Sequence, residues 1–147
     1  MWHSTASLIP NRVAPVSTAD VKGDWFIVKG NIYPGGTIPA GGAFESPGAF
    51  DPATAGGQVG EWICRGVYIQ DYASSIVPHV ATAQNYLFGH NNSLASEGLE
   101  GGSVRRVVMG GTGHYRSFVG DVKEKFLGFN ASGFENVRFT FRSRKAD

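Results

Sequence analysis

Val107-Val108-Met109-Gly110-Gly111-Thr112-Gly113-His114-Tyr115, followed by Arg116-Ser117-Phe118-Val119-Gly120-Asp121-Val122, is the stretch on which the fold turns. It reads as an apolar strand entering a glycine-dense turn, then a second strand with alternating character. Gly110, Gly111 and Gly113 let the backbone take positive φ at little steric cost, so a tight reversal is expected here. Beyond it, Phe118, Gly120, Val122 and Phe126 share one parity, and Asp121, Lys123 and Lys125 share the other. Period-two alternation of this kind marks a strand with one buried face. A glycine-rich phosphate loop would need a helix after it, so that free amides and the dipole meet the anion. A strand follows instead, and no Lys-Ser or Lys-Thr closes the motif.

The same alternation runs along the chain on both sides of this stretch. Residues 1–22 mix prolines with Ser and Thr and read as an N-terminal arm, leaving residues 23–147 as a single domain. Strands are expected over Asp24–Tyr33, Gln58–Gln70, His79–Gly89, Leu94–Glu100, Val104–Met109, Tyr115–Phe129 and Phe134–Arg142, with turns at His90-Asn91-Asn92-Ser93, Gly101-Gly102 and Asn130-Ala131-Ser132-Gly133. Residues 34–57 are rich in Pro and Gly, with Phe44 and Phe50 interspersed. A loop this long in a compact domain usually has a function, and a lid over a barrel mouth is the expected one. Gly 21 of 147 is about twice the ordinary share and charged residues are only 17%, which with this turn density indicates an all-β protein. Successive strands with short turns must hide their edges, so the expected architecture is a closed eight-stranded antiparallel up-and-down barrel with a central apolar cavity.

Composition also narrows the partners. A net charge of +1 provides no field for nucleic acid or an anionic membrane, and no run is long enough to span a bilayer. The single cysteine, Cys64, rules out an intramolecular disulfide framework and fits a cytoplasmic location. The segment Met1-Trp2-His3-Ser4-Thr5-Ala6-Ser7 lacks a basic start and an apolar core, so no signal peptide is expected. The four histidines do not show metal-ligand spacing, so neither metal nor another cofactor is expected. Apolar Ile63, Val67 and Ile69 fall on the outer parity beside Glu61 and Arg65 and need cover, which suggests a homo-oligomer, dimer or trimer.

On the chosen parity the interior set includes Phe26, Val28, Ile32, Trp62, Cys64, Tyr68, Phe118, Val122, Phe126, Val137, Phe139 and Phe141. Either a solid apolar core or a cavity with a few polar anchors fits this list. In the cavity reading the anchors are Tyr68, Tyr86, Gln84, Cys64 and Glu124, and the walls are Phe26, Trp62, Phe118, Phe126 and Phe139.

Gly110-Gly111-Thr112-Gly113-His114-Tyr115, with Gly120 and Val122 after it, resembles the glycine turn of dirigent proteins and allene oxide cyclases. Ala83-Gln84-Asn85-Tyr86-Leu87-Phe88-Gly89-His90 through Ser96-Glu97-Gly98 is similar to the cyclase's aromatic strand, turn and Gly-terminated strand. Where the cyclase has a tyrosine after its Gly-Pro, this chain has Leu99-Glu100. The resemblance implies a barrel that guides a reactive apolar substrate through stereocontrolled closure or coupling. Cys64 is then the counterpart of a cavity cysteine, and Asn31 of an inward asparagine on the first strand. The expected function is that of a cofactor-independent cyclase or isomerase, pericyclase-like, acting on a small polyketide- or terpenoid-like intermediate of natural product biosynthesis. Tyr68, Tyr86, Cys64 and Asn31 would be its catalytic groups. A non-catalytic dirigent-like barrel that only binds and orients a hydrophobic ligand is the alternative.

Overall fold

The structure, a computed structural model, describes residues 20–43, 45–100 and 105–144, together with the backbone of residues 2–8. It is all-β, with no α-helix among the described residues and so no helix long and apolar enough to cross a membrane. Strands β1 (Trp2–Leu8), β2 (Trp25–Pro34), β3 (Gly60–Tyr68), β4 (Val80–Leu87), β5 (Ser93–Glu100), β6 (Arg105–Thr112), β7 (Gly120–Phe129) and β8 (Glu135–Ser143) follow in order. From β2 to β8 each strand pairs antiparallel with the next, and the seven curl into a barrel wall. The backbone of β1 pairs with β2 on one side, Trp2 opposite Pro34, and with β8 on the other, Trp2 opposite Phe139.

The N-terminal arm therefore needs correcting: residues 2–8 form a strand, while residues 9–19 lie outside the described residues. Trp2-His3-Ser4-Thr5-Ala6-Ser7-Leu8 has no clean alternation, which is why periodicity alone did not identify it. The expected turn at Gly101-Gly102 and the side chain of Phe44 also fall outside the described residues.

The glycine-dense stretch behaves differently from expectation as well. β6 continues through Gly110 and Gly111 to Thr112, and the reversal is made by a 3-10 turn at Gly113–Tyr115 and the loop after it. Glycine is needed here because neighbouring backbone comes close. A Cβ on Gly111 would stand 2.7 Å from the Ser93 carbonyl oxygen. One on Gly113 would run into Asn92 Oδ1, the atom that accepts the His114 amide at 2.8 Å. Gly113 also has φ +57°. Gly113→Ala is expected to cost ~1–3 kcal/mol, read as a lower urea midpoint with unchanged slope.

Alternation sets the core. Ile32, Trp62, Cys64, Tyr86, Leu94, Val108, Val122, Val137 and Phe139 form one buried cluster, with Phe118 and Phe141 packed against it. Tyr33, of the opposite parity to Ile32, is also fully buried, because the described residues of 35–43 and 45–57 fold over the outside of the wall. The Phe50 ring meets Tyr33 edge-on at 5.3 Å. Gly41 N donates to Leu127 O (2.7 Å), Gly48 N to Phe129 O (2.8 Å) and Ala131 N to Phe50 O (2.9 Å). These contacts put the segment against the outer face of β2 and the β7–β8 hairpin, a correction to the lid over the mouth. The bulge between Phe126 and Gly128 leaves Leu127 out of the ladder, and its carbonyl accepts the Gly41 amide.

Candidate functional site

Inward positions on five neighbouring strands bring together residues that lie far apart in sequence. Cys64 stands opposite Gln84, Gln84 opposite Ser96, and Trp62 opposite Tyr86. Thr82 precedes Gln84 by two residues on the same face, and Glu100 lies on the parity of Ser96. From the far side, Arg106 stands opposite Val122 and Glu124 opposite Phe139. Gly98 makes room for the arginine: a Cβ there would meet Arg106 Cγ at 2.8 Å.

The Arg106 guanidinium is the hub. Its Nη1 donates to Glu100 Oε1 (2.9 Å) and Glu124 Oε2 (2.7 Å), and its Nη2 to Gln84 Oε1 (2.8 Å) and Tyr86 Oη (3.2 Å). Gln84 is oriented by chemistry. Its Oε1 also accepts from Trp62 Nε1 (3.0 Å) and Tyr86 Oη (2.7 Å), while its Nε2 faces both carboxylates, donating to Glu100 and to Glu124 Oε2 (3.4 Å). Thr82 adds a bond to Glu100 Oε1 (2.9 Å), and Ser96 one with Tyr86 Oη (3.1 Å). Arg106 Nε is buried and has no hydrogen-bond partner among the described residues. Below this layer the rings of Trp62 and Tyr86 pack on Phe139 at 5.5 and 5.1 Å, and the guanidinium carbon sits 6.0 Å from the Phe139 centroid.

Two carboxylates thus share one cation in a space largely removed from water. Burial, and then the negative charge of Glu124, push the Glu100 carboxyl up to about 7, against the pull of Arg106, Thr82 and Gln84. Burial works against the Arg106 charge, but Tyr86 and the two carboxylates outweigh it and hold the guanidinium firmly protonated. The side chains of Glu100 and Glu124 each keep 23% exposure against 2% for Arg106, so the acids can be reached while the base of the cluster cannot. The arrangement can hold one extra proton near neutral pH and exchange it with something at its open side.

Of the residues expected from sequence, Tyr86, Gln84, Trp62, Glu124 and Phe139 come together here. Cys64 lies beside them, but burial, then the two carboxylates, push its thiol well up, so it is no ready nucleophile. Tyr68 points inward next to Phe26, their rings 5.7 Å apart. Phe118 packs on Phe141 in the loop before β7. Phe126 is 51% exposed and stacks on Phe129, not on the core, because it sits at the bulge that breaks strand parity. Asn31 is on the outward parity, with Nδ2 3.5 Å from the Pro52 carbonyl, and takes no part in the interior. The apolar cavity also needs correcting, since the middle of the barrel holds an ion-pair network above an aromatic floor. Sequence reasoning missed Arg106 and Glu100. The parity of Val108 carries the signal for Arg106, and that of Leu94 and Ser96 carries it for Glu100. No three His, Cys, Asp or Glu side chains gather as a metal site among the described residues.

These strands and their order place the chain among the β-barrels. A solved structure of a pyocyanin demethylase shares the fold, with a TM-score of 0.58, 12% identity, and coverage of 97% of this chain and 98% of that one. No protein-family model matches the chain, and no curated protein matches it by sequence.

Proposed function

We propose that this protein is a small-molecule enzyme whose eight strands close around a ligand site, and that it works by proton transfer without a cofactor, as an isomerase or cyclase of a biosynthetic intermediate. The pairing of β1 with both β2 and β8 supports the closed barrel. The observation that carries the chemistry is the carboxyl pair on one guanidinium, with Glu100 titrating near neutrality. In this reading protonated Glu100 gives its proton to a carbonyl or ring heteroatom of the substrate, and Glu124 takes one from a neighbouring carbon. One proton enters and one leaves, so the product is an isomer, open or ring-closed. Arg106 and Gln84 hold the two acids at fixed separation, and Phe26 and Tyr68 offer the apolar side of the mouth. Self-association of the chain belongs to the same proposal, because apolar side chains on the outer wall remain exposed.

A proton-transfer enzyme exchanges substrate hydrogens with solvent. Incubation in D₂O with a panel of small enolisable aromatics, read by mass spectrometry, is expected to show catalysed deuterium uptake. Pyocyanin, after which the similar barrel is named, belongs in that panel. Binding with no exchange for any bound compound would favour the dirigent-like alternative, in which the barrel only orients its ligand.

A further inference from the structure

One row of paired residues on the outer wall has the same layout from either end, with the signs of its two charges exchanged. Ile27 stands opposite Arg65, Arg65 opposite Ala83, Ala83 opposite Glu97 and Glu97 opposite Val107, giving apolar, cation, methyl, anion, apolar. The neighbouring outward row is Trp25, Val67, Ala81 and Leu99. Its three large members are 45, 39 and 39% exposed, and Val107 is 53% exposed. The two alanines of β4 floor a shallow trough of about 560 Å³ between these flanks. Arg65 and Glu97 stand two strands apart, about 10 Å by ordinary sheet spacing, too far to pair across Ala83. Neither forms an ion pair among the described residues.

We propose that this face docks a second copy of the same chain, in a closed ring whose rotation axis runs along β4. Such an axis carries the β3 flank of one copy to the β5 flank of the next at the same height, so each Arg65 meets a neighbouring copy's Glu97. It does so for a twofold and a threefold ring alike, while the alanines let the walls approach at the axis. An axis running across the strands would set Arg65 against Arg65, and like charges in contact disfavour association. The partner is fixed by this charge pattern: the patch is complementary to itself, as a closed homo-oligomer requires. Apolar flanks on both sides supply the contact that excludes water.

The inference rests on the proposed self-association and is independent of the proton chemistry. Sedimentation velocity at micromolar concentration is expected to give a dimer or trimer for the wild type. Arg65→Glu and Glu97→Arg should each weaken association roughly a hundredfold, and the double variant R65E/E97R should restore it. Both positions are exposed, so loss of folding does not confuse the result, and circular dichroism checks it. A monomeric wild type would overturn self-association altogether. An oligomer indifferent to both reversals would leave self-association standing and overturn this surface.

Discussion

Arg106→Met is expected to destabilise the protein by ~3–5 kcal/mol at pH 8, measured by urea unfolding. The side chain is 2% exposed, and its removal takes the cation from two carboxylates and one donor each from the Gln84 carbonyl oxygen and the Tyr86 hydroxyl. Both carboxylates lose their cation while the rest of the layer stays enclosed, which is the costly direction of change for a buried polar cluster. The loss should be smaller at pH 5, below the raised value of Glu100, where that carboxyl holds a proton and no longer needs the cation. Replacing Glu100 and Glu124 by glutamine in the same background should recover much of the stability. A loss below about 1 kcal/mol at pH 8 would place the guanidinium in water, contrary to the geometry.

Glu100→Gln carries the largest functional effect, a fall of ~10²–10⁴-fold in the proton-transfer rate with little change in ligand affinity. Glutamine keeps the shape and can still meet Thr82 and Arg106, but it has no proton to give. In the wild type the rate should decline as pH rises through about 7, since the acidic form of Glu100 is then lost. The same group makes stability depend on pH. Its folded value lies above its ordinary 4.5, so the folded state holds the proton more tightly than the unfolded chain. The resulting contribution is fully present below about 4.5 and is lost as pH rises through about 7; a shift of this size corresponds to about 3 kcal/mol. Glu100→Gln should flatten that slope. A slope unchanged in the variant would assign the titration to another group.

Much of the barrel wall can be read from the sequence because its strands obey a period of two and end at Gly, Asn or Pro. Trp62, Gln84, Tyr86 and Phe139 fall on the inner face by parity alone. Parity stops working where the backbone departs from it. The bulge after Phe126 turns that ring outward, and the extension of β6 past two glycines moves the reversal to Gly113. Arg106 and Glu100 are hidden for a different reason. A charge in an alternating strand is ordinarily taken to mark the solvent side, yet β6 presents Val107 and Met109 outward, 53 and 62% exposed, and Arg106 inward. Only the pairing of four strands shows that carboxylates from β5 and β7 arrive to meet it. Glu124 is visible as an anchor, but its partner cation is not, because a long-range ion pair leaves no local spacing. The fully buried Tyr33 is likewise explained only by the loop that crosses it.

The most direct measurement is a carboxyl titration by ¹³C NMR on protein labelled at glutamate, with the Glu100 resonance assigned by its absence in Glu100→Gln. The geometry predicts a midpoint of about 7 for that carboxyl, raised by burial and by the negative charge of Glu124. A Glu100 midpoint below about 5 would mean that solvent reaches the pair freely, and the proton-holding interior would have to be abandoned.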